Sequence, residues 1–176
     1  MSHVAVVYQT QYGATQRYAQ WISEALHSDL YKLSDVNAQV LRKYSTIIFG
    51  GAIYASGIMG SKQISTYFSD LPDTKLIVFT VGLSNPKTTN YQSIINKNFN
   101  GALQKSISFF HLRGAIDYKK LNFLHRIMMF ALKNKVKKSA HTSPETSLFL
   151  ETYGKKIDFT DKESINLLVR QAESLI

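Results

Sequence analysis

The sequence predicts an α/β fold: a doubly wound five-stranded parallel sheet with helices on both faces and a long insertion after or within the fifth strand. Three observations predict it. Short continuous apolar runs recur at Val4-Ala5-Val6-Val7-Tyr8, Thr46-Ile47-Ile48-Phe49, Leu76-Ile77-Val78-Phe79 and Ile107 to Leu112, the form expected of strands buried on both faces. Segments of helical period separate them, and strands alternating with helices build a parallel sheet with right-handed crossovers. More than forty residues then part Leu112 from Thr160. That is too many for a connection.

The elements follow in order. After Val4 to Tyr8, the segment Arg17 to Leu26 is helical, with Tyr18, Ile22, Ala25 and Leu26 on one face. Leu30-Tyr31-Lys32-Leu33 alternates, as an edge strand does, and Ser34-Asp35 opens a connection through Val40-Leu41. A helix over Ser61 to Leu71 turns Ile64, Phe68 and Leu71 inward and stops before Pro72. Tyr91 to Leu103 reads as one helix. Thr160-Asp161-Lys162-Glu163 has the spacing of a capping box ahead of the final helix, whose apolar face is Ile165, Leu168, Val169, Ala172 and Leu175.

At 176 residues and 44% hydrophobic the chain is long enough for one domain with a real core. We read it as a single domain, 1–176, with the insertion at about 115–150. It has no Cys, which removes disulfide, thiolate-metal and cysteine-nucleophile chemistry and suits the cytoplasm. No charged leader precedes Val4, and no run reaches the apolar length of a spanning helix. The net charge is +9, and Arg113 to Lys138 carries eight basic residues against one acid, Asp117. The charge is local, so its partner is local.

Function is written at the strand ends. Thr10-Gln11-Tyr12-Gly13-Ala14-Thr15 links the first strand to the first helix. Backbone N–H groups at such a junction face an anion, Thr hydroxyls add donors, and Gly13 allows close approach or positive φ. The same residues also suit a plain turn that starts a helix. The loop has neither the Lys of a Walker motif nor the G-x-G-x-x-G of a dinucleotide site. Two later strands end in Gly50 to Gly57 and in Thr80-Val81-Gly82-Leu83-Ser84-Asn85-Pro86. Ligands of open α/β sheets lie at these ends. Phosphate donors in one loop, with Ile53, Tyr54, Val81 and Leu83 in the others, describe a mononucleotide such as FMN.

These residues carry a resemblance. The chain is similar to the flavodoxin family, whose phosphate loop [TS]-x-[TYS]-G-x-T matches Thr10 through Thr15 and whose two ring-binding loops match Gly50–Gly57 and Thr80–Asn85. The resemblance implies a flavodoxin-like fold and FMN held by Thr10, Gln11, Tyr12, Gly13, Ala14 and Thr15 at its phosphate and by Ala52, Ile53, Tyr54, Val81, Gly82 and Leu83 at its ring. The chain also departs from the family. It is basic where ordinary flavodoxins are acidic, and its one Trp, Trp21, lies within the first helix. Tyr91, just past the third loop, suits either the ring or the core.

The insertion has a likeness of its own. Leu112-Arg113-Gly114-Ala115-Ile116-Asp117-Tyr118, Leu124 to Met129 and Thr152 to Asp161 resemble the quinone-dependent protoporphyrinogen IX dehydrogenases of the same superfamily. That likeness implies an oxidoreductase with a reduced tetrapyrrole or other planar substrate, a menaquinone-type acceptor and a place at the cytoplasmic face of a membrane. The residues can be read without it. On a continuous helix Lys119, Arg126, Lys133 and Lys137 form one stripe, and Leu121, Leu124, Ile127, Met128, Ala131, Leu132 and Val136 fill the remaining arc. Such a helix suits an anionic membrane surface or a hydrophobic partner, and equally a fold back onto its own domain. Arg113, Lys119, Arg126, Lys133 and Lys137 are the expected contacts to substrate or membrane.

Other chemistry finds little support. His111, His125 and His141 lack metal-ligand spacing. Ser56 lacks the nucleophile elbow. No nucleic-acid-binding signature accompanies the basic segment. The alternative to an enzyme is a flavodoxin-like electron carrier whose basic patch docks an acidic partner.

Overall fold

Residues 3–138 and 143–176 are described by a computed structural model; His141 lies outside them. The first half runs β1 (Val4–Gln9), α1 (Ala14–Leu26), β2 (Asp29–Lys32), a 3-10 turn, α2 (Ala38–Leu41), β3 (Thr46–Tyr54), β4 (Gly57–Ile58), α3 (Ser61–Ser69) and β5 (Lys75–Gly82). The second half runs α4 (Gln92–Asn98), α5 (Gly101–Gln104), β6 (Ile107–Arg113), β7 (Ala115–Asp117), α6 (Phe123–Lys138), α7 (Pro144–Thr152), β8 (Lys156–Asp158), another 3-10 turn and α8 (Asn166–Glu173). The main sheet has the order β2-β1-β3-β5-β6, and the neighbours along that path are all parallel. Short β4 folds back antiparallel on β3. The fold is the flavodoxin-like doubly wound sheet.

Alternation within each apolar run sorts its residues to two faces. Ala5, Val7, Ile47, Phe49, Leu76 and Val78 meet Leu33, Leu41, Ile64, Leu71 and Phe99 on one side. Val4, Val6, Ile48, Ile77 and Phe79 meet Tyr18, Ala19, Ile22, Leu168 and Ala172 of α1 and α8 on the other. Both layers are closed cores, which is why the strands read as unbroken hydrophobic runs.

Several local expectations are corrected. The first helix starts at Ala14, directly on the loop, and Ala25 is exposed. Tyr91 to Leu103 is two helices, because Asn100 accepts the Leu103 N–H and starts a new turn. The capping box does not form. Asp161 takes the Glu163 N–H, while the Thr160 hydroxyl bonds Asp158 at 2.7 Å.

Gly50 and Gly51 lie inside β3, not in a loop. A methyl group on Gly50 would stand 2.1 Å from Phe79 Cζ, and one on Gly51 would stand 2.6 Å from Ile58 Cγ2. These glycines make room for packing across the sheet.

The insertion leaves and re-enters the domain through a two-stranded antiparallel ribbon, β7 with β8, pairing Ala115 with Asp158 and Asp117 with Lys156. Between these strands lie α6 and α7, neither of which contains a buried residue. Arg17 of α1 fastens the ribbon, donating at 2.7 Å to both Asp158 and the Thr160 hydroxyl. Burial works to raise the Asp158 pKa, but the Arg17 and Thr160 bonds outweigh it and bring the carboxyl down to about 2.

Candidate functional site

Three strand ends meet a cavity of about 530 Å³. β1 delivers Thr10, Gln11, Tyr12, Ala14 and Thr15 to its wall, β3 delivers Ala52, Ile53 and Tyr54, and β5 delivers Val81, Gly82 and Leu83. Of the twelve residues expected to hold FMN, Gly13 alone does not line it. Gly13 acts through the backbone: at φ +94° it turns the chain into α1, a conformation that favours glycine.

The first loop has the chemistry of an anion cradle. Thr10 Oγ1 accepts the Gly13 N–H at 3.1 Å. The Arg17 N–H bonds the Gly13 carbonyl, so the N–H groups of Ala14, Thr15 and Gln16 stand at the open end of the helix, ahead of any intrahelical acceptor. No acid occupies the first turn of α1, leaving the positive end of the helix for a ligand. Around the rest of the cavity the surface is largely apolar. Ile53 leans over Gly82, where an added methyl would meet it at 3.4 Å. Burial pushes the Tyr54 phenol up to about 12, so it remains neutral. A donor-rich end and a flat apolar end fit a phosphate joined to a planar ring.

Sequence reasoning left Tyr91 open between ring and core; the structure buries it and places it at the cavity wall. It lines the cavity while stacking on His111, with ring centroids 3.8 Å apart and planes at 8°. Its hydroxyl donates to the Ser84 carbonyl in the third loop. His111 in turn lies 2.6 Å from Thr80 Oγ1 through Nδ1. Burial lowers the His111 pKa from 6.5 to about 4, so the ring under the third loop is neutral at pH 7. Its folded pKa is below its unfolded one, so the unfolded chain binds more protons between the two values. The stabilisation is whole above about pH 6.5 and is lost as the pH falls towards 4, by about 1 to 2 kcal/mol after allowing for the ring's partial exposure. Urea unfolding at pH 7 and pH 5 checks this, and the His111→Gln variant should lose much of the difference.

The insertion supplies the far wall, with Met128, Met129, Leu132 and Val136 from α6 and Leu148 and Phe149 from α7. α7 begins at Pro144, with the Ser143 hydroxyl accepting the Thr146 N–H; neither this helix nor its position above the cavity was read from the sequence. Glu145 and Phe159 are further wall residues that sequence reasoning missed.

The five expected contact cations do not act together. Arg113 Nε donates to the Leu83 carbonyl at 3.1 Å, its guanidinium lies 3.4 Å from Glu145, and it sits 4.0 Å above the Phe159 ring. Its charge is met inside the protein, where it fastens the third loop to α7. Lys119 falls in a 3-10 turn before the helix, because Asn122 starts α6 by accepting the His125 N–H. The stripe therefore reduces to Arg126, Lys133 and Lys137. Of these, Lys133 lies over Tyr153 at 4.2 Å, and Arg126 and Lys137 are exposed. The apolar arc is also divided: Leu121 is buried ahead of the helix, while Phe123, Leu124, Ile127 and Phe130 are exposed.

Among solved structures, an archaeal flavodoxin is similar at 16% identity and TM-score 0.47, covering 62% of this chain and 82% of its own. The Trp repressor binding protein from Bacillus subtilis is similar at 19% and 0.47, covering 63% and 83%. A WrbA-like flavodoxin from Agrobacterium tumefaciens is similar at 18% and 0.45, covering 96% and 97%. No curated protein matches the sequence. A family model described as a flavodoxin domain matches residues 5–143. That match spans well over half of the sequence, and the chain belongs to the flavodoxin-domain family.

Proposed function

We propose that this protein is an FMN-dependent oxidoreductase of the protoporphyrinogen IX dehydrogenase type, passing electrons from a reduced planar substrate to a menaquinone-type acceptor at an anionic membrane surface. One observation carries the reading: the three loops share a single cavity with the apolar walls of α6 and α7. A carrier that only exchanges electrons needs no apolar roof over its cofactor loops, whereas an enzyme with an apolar substrate does. FMN, when bound, supplies the redox chemistry.

The chain's own residues bind, orient and exclude water. Thr10, Thr15 and the open N–H groups of α1 hold the phosphate. Ile53, Tyr54, Val81 and Leu83 flank the ring, and Tyr91, stacked on His111, supports the third loop. The insertion roofs the substrate chamber with thioethers and aliphatic chains, which tolerate ligands of varied outline. The outer side of α6 supports the membrane part of the reading: Phe123 is 79% and Leu124 62% exposed, with Arg126, Lys135, Lys137 and Lys138 on the same exposed helix. Large apolar side chains flanked by cations suit the boundary of an anionic leaflet. Among the described residues no helix is long and apolar enough to cross a membrane.

The test combines purified protein, FMN and anionic vesicles containing a menaquinone analogue, with protoporphyrinogen as donor. Expected results are flavin bound to the protein, salt-sensitive association with the vesicles, and oxidation of the donor that depends on the quinone. Bound flavin with inactivity across tetrapyrroles and quinones would make the protein an electron carrier. Failure to take up FMN would remove the whole reading.

A further inference from the structure

His125 is the one side chain by which α6 reaches the loops of the main sheet through hydrogen bonds or ring contacts, among the described residues. Its Nδ1 is hydrogen-bonded to the Tyr12 hydroxyl in the first loop. Its ring stands 4.0 Å, centroid to centroid, from Tyr54 at the end of β3, at 37°. It also meets the Tyr12 ring edge-on at 5.6 Å. The other polar ties of α6 stay within the insertion: Arg126 donates to the Lys119 carbonyl, and Lys133 covers Tyr153.

The surroundings favour a detachable helix. No residue of α6 is fully buried, so less apolar area resists its lifting than a core helix would oppose. The β7–β8 ribbon holds both ends of the insertion together at its base. Asn122 fixes where the helix starts, and with it the position of His125 three residues on. The Asn122 N–H also points to the Tyr12 hydroxyl, at 3.4 Å.

We infer that His125 is a positioning residue, the latch through which the insertion closes over the cofactor loops. It acts through Tyr12 and Tyr54, joining the phosphate-side loop to the ring-side loop with one imidazole. When the latch releases, α6 lifts and opens a way in and out of the cavity. When it engages, it fixes Tyr12 and Tyr54 and retains what lies between the loops. The cofactor part of this inference rests on the FMN reading given above; the latch itself does not.

Two measurements separate the two. In protein without FMN, trypsin cleavage at the lysines of α6 reports lifting of the helix. His125→Ala should be cut about tenfold faster than wild type, the loss expected from one hydrogen bond and one ring contact. Its thermal midpoint should stay close to that of wild type, because the core layers are untouched. Equal cleavage rates would overturn the latch whether or not FMN binds, and a collapsed midpoint would make His125 a fold determinant instead. In FMN-loaded protein, His125→Ala should release flavin about tenfold faster, and His125→Phe, which retains a ring against Tyr54, should fall between. An unchanged release rate in His125→Ala would overturn the positioning role. If wild type takes up no FMN, the cofactor reading fails and the cleavage rates alone decide the latch.

Discussion

Gly50→Ala will destabilise the protein by about 3 kcal/mol, at the upper end of overpacking costs. Gly50 is paired in register with Phe79 across β3 and β5 and with Tyr8 across β3 and β1, so its backbone is held on both sides. A methyl there would stand 2.1 Å from Phe79 Cζ, and Phe79 is fully buried among α1 and α8 side chains. Neither partner has room to move. Chemical denaturation measures the loss, which is a large share of the 5–15 kcal/mol typical of a domain. Phe79→Leu shortens the obstructing side chain, so Gly50→Ala with Phe79→Leu should be less destabilised than the two single effects added together. Strict additivity would place the strain elsewhere.

Thr15→Val should weaken FMN binding about 10- to 100-fold, the 1.5–3 kcal/mol of a hydrogen bond to a charged group, while leaving riboflavin binding unchanged. Thr15 is 1% exposed and stands in the first turn of α1 beside the cavity, so valine retains its shape and removes only the hydroxyl. Riboflavin has the same ring and no phosphate, and therefore isolates that hydroxyl's contribution. Titration by flavin fluorescence quenching provides both affinities. Equal losses for the two flavins would mean that Thr15 shapes the loop and does not hold the phosphate. No loss for either would remove the first loop from the site.

The strands were legible because each is buried on both faces and is therefore apolar without interruption, as at Val4 to Tyr8 and Leu76 to Phe79. The place of the first loop was legible for a related reason: Thr10 to Thr15 follows an unbroken apolar strand and precedes a helical period, and it lies at the cavity wall between β1 and α1. The chain hides what depends on distant partners. Gly50 and Gly51 read as loop because nothing local announces that Phe79 and Ile58 will fill the space beside them. Thr160 read as a cap, yet its hydroxyl is claimed by Asp158 and by Arg17, more than a hundred residues earlier. The basic stripe failed at Lys119 because helical arithmetic was carried back through Asn122, itself a recognisable helix start. Glu145 and Phe149 reach the cavity wall only because the insertion folds over the strand ends.

The narrow ribbon at the base of the insertion bears on how such a chain could arise. Asp117 and Lys156 face each other across paired strands, so their Cα atoms lie about 5 Å apart, a gap that a two-residue hairpin turn spans. Everything between them forms a cassette that enters and leaves the ancestral sheet at one point. Its two helices contribute no residue to either core layer. A gene could gain, lose or exchange that cassette in one step without renegotiating the fold, and each exchange would place a different roof over the same three loops.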